Sequence, residues 1–540
     1  MIPRYFKSAS LVAAIAVTLA APGAHAATPS RADTLRSVTG GTTNTLDPTM
    51  PGATRPAFGV SMSTYDRLFA FGTKVVNGHR VFDPNNLRGE LVDRYTVSDG
   101  GKVITLVLKS DAKFQDGSPV TANDVKWSLD RAVSAKSLAA PQLLTGSLTS
   151  PDQFKVINDK TFQITLPKPD RLALPNLAVV YAIIFNSTLA KEHATATDPW
   201  AQEWLKTHTA GSGAYSVQQF VPGQTTILER NDAWNRGADN SKAFFPRVIE
   251  QTVPDASTRA NLVERGDADI AIDLQTDDVS NLGKRGKVKI DSIPQYNSVT
   301  YVVFNTKIAP FDNVNVRRAI AAALPYKDMF QGALFGRGAP LYGATWKNDT
   351  APSAAYPVAQ PVKTELALAR KYLADAGLPN GYKVTFSYNV SQAPTAEPMA
   401  ALIKESLGRI GIDVTVQKLP DAEMSTDINS KTLPFFTEQL TAWLPATDYW
   451  YRYAYTGNQR WNYSGYANEK FEALANDARF ETDPNRYAAD AIELNTMVYH
   501  DMPMVPLWTA SQDAVMAPTL DGFTYEFHRQ VDFRVLKRTK

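Results

Sequence analysis

The sequence contains no cysteine. Disulfides, thiol catalysis, Cys-ligated zinc and iron–sulfur clusters are therefore excluded, and with them a lipid anchor on cysteine. Charge of one sign is also missing, since 56 Lys and Arg stand against 54 Asp and Glu. A formal net charge of +2 leaves no basic footprint for nucleic acid. Histidine is scarce: beyond the first 26 residues only His79, His193, His208, His500 and His528 remain. None stands at helical ligand spacing to another, which argues against a dedicated zinc site. After those 26 residues no apolar run is long enough to span a bilayer, so the body of the chain is expected to be soluble.

What is there describes a large globular protein. The 540 residues exceed what one hydrophobic core serves, so two or three domains are expected. With 44% hydrophobic and 20% charged residues the chain is neither disordered nor fibrous. Arg4 and Lys7, an apolar run from Ala9 to Ala20, and Ala24-His25-Ala26 together have the form of a cleaved export signal over residues 1–26. The two excess positive charges lie in that segment, and the rest balances to zero. Export without a lipid anchor points to the periplasm of a Gram-negative cell.

Residues 103–108 alternate, with Ile104, Leu106 and Leu108 on one face, and predict a strand. Thr121-Ala122-Asn123-Asp124 has the form of a capping box opening a helix through Trp127 and Leu129. Beyond about residue 240, strands alternate with helices as in α/β domains. Strands are expected over 299–304, 384–388 and 412–416, and helices over 316–324, 366–376, 399–410, 469–479 and 484–499. Two segments, near 345–362 and 445–462, are long, aromatic-rich and irregular. Such segments in compact domains are usually functional loops.

Catalytic patterns are weak. No Gly-x-Ser-x-Gly elbow is present. Ser110-Asp111-Ala112-Lys113 has a Ser-x-x-Lys spacing but sits at a strand end, where that nucleophile should open a helix. Gly211-Ser212-Gly213 has no following Lys or helix start and reads as a turn into a strand at Tyr215 rather than a phosphate loop. The aromatic segment holds Trp443, Leu444, Asp448, Tyr449, Trp450, Tyr451, Arg452 and Tyr453, joined by Trp461 and Tyr463. It reads either as a satellite core under a loop or as a ligand wall, with rigid apolar rings bearing polar tips. In the second case Asp448 and Arg452 offer complementary charges to a zwitterionic ligand.

Phe114-Gln115-Asp116-Gly117, followed by Val120-Thr121-Ala122-Asn123-Asp124-Val125, resembles the signature region of the large solute-binding proteins of bacterial ABC importers. This is the extracellular family 5, which takes up peptides, nickel and opines. Leu46-Asp47-Pro48, Tyr65-Asp66-Arg67-Leu68-Phe69, Glu229-Arg230-Asn231, Ala374-Asp375-Ala376-Gly377 and Asn462-Tyr463-Ser464-Gly465-Tyr466 keep that family's order, and the likeness covers nearly the whole chain after residue 26.

The resemblance implies an α/β, two-lobed periplasmic-binding-protein fold of the large class II type. Residues 27–292 and 505–540 would form the first lobe, with a subdomain inserted at about 71–199. Residues 293–504 would form the second, and a two-segment hinge would join them near 293–303 and 502–507. It further implies a monomer without cofactor or catalysis, which captures a peptide or peptide-like solute and delivers it to an ABC permease in the inner membrane. An opine, nickel chelate, haem or oligosaccharide ligand, and an exported hydrolase, stand as alternatives. Peptide binders of the family place an Asp three residues after a Trp to meet the ligand's ammonium. Here Ala446 has that spacing from Trp443, so Asp448 serves only if the loop is shifted by two residues. Arg55 and Tyr388 are further candidates to face the cleft.

Overall fold

The computed structural model describes residues 30–237, 241–343, 360–444 and 446–539. The export signal, most of the 345–362 segment and Pro445 lie outside the described residues. Two lobes share one twelve-stranded sheet. Its order runs Asp413–Leu419, Lys383–Asn389, Phe435–Thr441, Ser298–Phe304, Met504–Met516, Ile270–Ala271, Thr34–Thr39, Arg247–Thr252, Thr225–Arg230 and Tyr215–Val221. Two further strands, Lys289–Pro294 and Gly338–Pro340, pair alongside Met504–Met516.

That central strand, 13 residues long, serves both halves of the sheet. Met504 to Trp508 pairs antiparallel with Ser298–Phe304, whereas Ser511 to Met516 pairs with Lys289–Pro294. Pro506 is tolerated because the register shifts between Thr300 and Tyr301, where the ladder is interrupted. The linking Asn297 is fully buried, and its side-chain amide donates to the carbonyls of Ala442 (2.7 Å) and Phe527 (2.8 Å).

A separate four-stranded antiparallel sheet, Val92–Ser98, Val103–Leu108, Thr161–Thr165 and Phe154–Asn158, precedes Tyr215. Ile104, Leu106, Leu108, Phe162 and Ile164 fill its inner face. The helix Ala122–Ser134 starts with the expected box: Asp124 Oδ2 accepts from the Thr121 N–H at 2.9 Å and hydroxyl at 2.7 Å.

The quoted motifs are largely scaffold. Asp47 pairs with Arg131, Asp66 with Arg236, and Glu90 with both Arg67 and Arg534, each carboxylate buried. Burial pushes Glu90 up, but the two guanidinium groups hold it below the usual carboxylate range. Gly213 is required by close approach, because a Cβ there would lie 2.4 Å from the Thr64 carbonyl carbon. One expectation needs correction: the 445–462 segment is not a loop throughout, since Thr447–Tyr455 is a helix.

Candidate functional site

A cavity of about 370 Å3 opens where three stretches of chain meet. Arg55, Gln142 and Tyr181 come from the first, Glu438, Gln439, Trp443, Tyr449 and Tyr453 from the second, and Arg529 from the third. The volume lies in the lower part of the ~300–1,000 Å3 range of small-molecule sites.

Its walls are aromatic. Trp443 stands edge-on to Phe58 and to Tyr181, with centroids 5.2 Å apart in both pairs. The helix Thr447–Tyr455 supplies the opposite wall by its periodicity. Tyr449 and Tyr453, four residues apart, turn to the cavity with rings 4.8 Å apart, and Tyr453 meets Trp461 at 5.5 Å. Tyr451 and Tyr455 turn the other way and pack on Phe471. The Trp450 indole N–H donates to the Tyr301 hydroxyl at 2.9 Å, which fixes its ring at the cavity floor. One face of the helix thus lines the cavity and the other packs into the core.

Three charged side chains line this space: Arg55, Arg529 and Glu438. Arg55 opens the helix Arg55–Thr64, ahead of Pro56, whose fixed φ suits a first helical turn. Its Nη1 donates to the His528 carbonyl at 3.3 Å. Arg529 sits in a left-handed turn (φ 58°), and its Nη1 donates to the side-chain oxygens of Gln295 (2.8 Å) and Gln439 (2.9 Å). Its buried Nε has no partner among the described residues. Neither guanidinium makes an ion pair among the described residues, so each has hydrogen-bonding capacity to spare.

Burial lowers Arg55, and the adjacent Arg529 lowers it further, to about 9; Tyr525, Tyr181 and Asp273 oppose the change. Burial lowers Arg529 too, against Tyr525 and Asp273. Both stay charged at neutral pH, in surroundings where an unpaired cation favours an anionic ligand. Burial raises Glu438, while the Gln439 N–H (2.8 Å) and the Gln392 side-chain amide (3.0 Å) donate to its carboxylate and hold it back.

Of the eight residues read from sequence, Arg55, Trp443, Tyr449 and Trp450 line the cavity. Leu444 is fully buried in the core. Tyr388 is buried in the other main core and donates to Glu397 at 3.2 Å. Arg452 lies beside the Tyr453 ring, 5.6 Å from its centroid, and is not a lining residue. The structure places Asp448 elsewhere than an ammonium anchor requires. Its carboxylate is paired with Arg171 and accepts from the Tyr487 hydroxyl at 2.9 Å.

Sequence reading missed Arg529, Gln439, Glu438 and Tyr181. Glu438 carried a signal, being a charged residue inside the otherwise apolar and neutral Phe435–Leu440 run. Arg529 carried none, because only the return of the C-terminal stretch to the cavity brings it there.

Two lobes on a shared sheet, with an aromatic cavity lined by two arginines and a glutamate, define the class of two-lobed solute-binding proteins. The family model for bacterial extracellular solute-binding proteins, family 5, middle region, matches residues 86–463, and the chain belongs to this family. It is 28% identical over 518 residues to "Probable D,D-dipeptide-binding periplasmic protein DdpA" of Escherichia coli K12, covering 93% of each chain. It is 24% identical over 452 residues to the glutathione-binding protein GsiB of Salmonella typhi, covering 81% of this chain and 83% of that one. The structure resembles the periplasmic binding protein DppA of Helicobacter pylori in complex with the peptide STSA. That match has a TM-score of 0.75 at 20% identity, over 94% of this chain and 98% of that one.

Proposed function

We propose that this protein binds a short peptide or peptide-like solute with a free carboxylate, in the periplasm, and hands it to an ABC permease without altering it. The observation that carries the reading is the pair Arg55 and Arg529, half-buried beside an aromatic cavity and in no ion pair among the described residues, although Asp273 and Glu438 line the adjoining spaces. A carboxylate between them supplies what the fold leaves out, through charge-assisted hydrogen bonds. Glu438 is available to a ligand ammonium, and the rings take side chains without demanding one sequence. The relatives, a probable D,D-dipeptide-binding protein and a glutathione-binding protein, support the same chemistry. In this reading residues 27–292 and 505–540 form one lobe and 293–504 the other. Closure is biased by ligand contacts made only when the lobes meet.

Thermal unfolding with di- to pentapeptides tests it. Ligand at 100 times its dissociation constant adds about 2.7 kcal/mol, and the same peptides as C-terminal amides should give little or no shift. Arg55→Gln should weaken free-acid peptides at least about tenfold in calorimetry, as expected for one partner of a buried charge pair. Absence of any shift across the peptide panel would remove the peptide assignment, and release of hydrolysed peptide would remove the claim of binding without catalysis.

A further inference from the structure

A second cavity, of about 190 Å3, lies on the other side of the arginine pair. Arg55 and Arg529 line both spaces, so the two meet at these side chains. Apart from Leu274 the remaining walls are polar, with Asp273, Gln295, Ser511, Gln512 and Asp513 among them; Asp513 is paired with Arg337, and Asp273 accepts from the Thr39 hydroxyl at 2.9 Å. Ser511 and Gln512 belong to the strand Met504–Met516, and Gln295 to the link between Lys289–Pro294 and Ser298–Phe304. The cavity therefore sits against the stretches that join the two halves of the sheet.

Its bonding is incomplete. Gln512 is 8% exposed, and its side-chain N–H donates to the Arg529 carbonyl at 2.9 Å. That bond turns Oε1 the other way, where it has no partner among the described residues. Ser511 Oγ and Arg529 Nε are likewise buried and unpartnered. One acceptor, one hydroxyl and one cationic donor are thus left unmet around a single space, and unmet buried polar groups cost stability until something pairs with them. An apolar group answers none of the three. The end of a peptide answers all of them, since its carboxylate accepts and its last amide N–H donates.

We propose that this cavity is a subsite for the carboxylate-terminal unit of the solute, with the carboxylate bridging Arg55 and Arg529 and the last amide N–H donating to Gln512 Oε1. This rests on the peptide reading and adds a direction. The carboxylate end lies against the joining strands and the other end lies toward Glu438 and the tyrosines. A ligand so placed bonds to the segments whose geometry sets the angle between the lobes.

A chemical double-mutant cycle tests the contact. Tri-alanine, and tri-alanine methylated on its last peptide nitrogen, are titrated calorimetrically into the wild type and Gln512→Leu. The wild type should lose about tenfold on methylation. Gln512→Leu should bind tri-alanine about tenfold more weakly and lose nothing further on methylation. Losses that simply multiply overturn the contact while the peptide reading stands. If neither tri-alanine nor tetra-alanine binds the wild type, the peptide reading falls and the subsite with it. Should Gln512→Leu fail to melt cooperatively, Ser511→Ala replaces it. That variant should weaken tri-alanine at least threefold and leave its C-terminal amide unaffected, and equal effects on both would overturn the subsite.

Discussion

Glu250 is a buried carboxylate with no ion-pair partner among the described residues. Burial pushes its pKa up from 4.5 to about 7; the Thr43 hydroxyl, donating at 3.0 Å, restrains the rise and Asp273 adds to it. A raised folded-state value means that the native protein holds this proton more tightly than the unfolded chain. Stability from the group is therefore full below about pH 4.5 and lost as pH rises through 7. Glu250→Gln, which keeps an acceptor for Thr43, should raise the thermal midpoint at pH 8 and leave it nearly unchanged at pH 4.5. The gain at the higher pH should correspond to a few kcal/mol. Equal gains at both values would show that ionisation is not the cause. His528 works in the opposite sense. Burial lowers it to about 3, so its contribution is complete above about 6.5 and disappears as pH falls toward 3. The Arg55 contact with the His528 carbonyl puts one cavity-lining residue beside this acid-sensitive group.

The helix Ala122–Ser134 shows why the scaffold was legible in the sequence and the cavity was not. Asp124 is read from a local pattern, and the pattern is the structure: Oδ2 closes the capping box while Oδ1 accepts from the Ser187 N–H (3.0 Å) and hydroxyl (2.7 Å), which starts the helix Ser187–Glu192. One carboxylate thus anchors two helix starts. Asp124→Ala should cost about 2–3 kcal/mol in urea denaturation, more than an ordinary cap, whereas a loss below about 0.5 kcal/mol would reduce the box to ornament. The helix Thr447–Tyr455 gave no such pattern. Aromatic residues are mediocre helix formers, and here they face the cavity on one side and the core on the other, with no capping residue to mark the start. Tertiary burial makes this helix. The helix Ala393–Gly408 begins six residues before its expected start because Pro394 sits in its first turn and Pro398 is accommodated inside it. The strand Met504–Met516 shows no simple alternation, because Ser511, Gln512 and Asp513 interrupt its apolar run and line a polar cavity. Local rules recover elements whose reasons are local. The arginine pair depends on residues 474 positions apart and has no local trace.

Residues 142–171 and 448–487, which belong to different lobes in the proposed division of the chain, make contacts that need no ligand. Arg479 donates to the Thr145 carbonyl and to the Asp170 carboxylate, both at 2.8 Å, and Arg171 pairs with Asp448 while stacking on Tyr487 at 3.8 Å. Lys168 lies over the Phe480 ring at 3.2 Å, and the Tyr449 hydroxyl donates to Gln142 at 3.1 Å. Stretch 142–171 is thus fastened to stretch 448–487 on the rim of the aromatic cavity. Asp448, whose sequence position suggested an anchor for ligand, instead holds Arg171, whose guanidinium stands where an incoming cation was expected. The two buried carboxylates, Asp170 and Asp448, are the elements to remove, because Asn at both positions keeps shape and deletes the ion pairs. The absence of native cysteine makes the measurement clean: spin labels on Lys155→Cys and Glu423→Cys, both exposed, report one defined distance across the molecule. In unliganded protein the double variant Asp170→Asn/Asp448→Asn should shift that distribution toward longer separations. Apparent affinity should fall in the same proportion as the closed fraction, since only the competent state binds. Saturating ligand should restore the short distance in both proteins. An unliganded distribution identical in wild type and variant would mean that these pairs stabilise each lobe separately and leave closure to the solute alone.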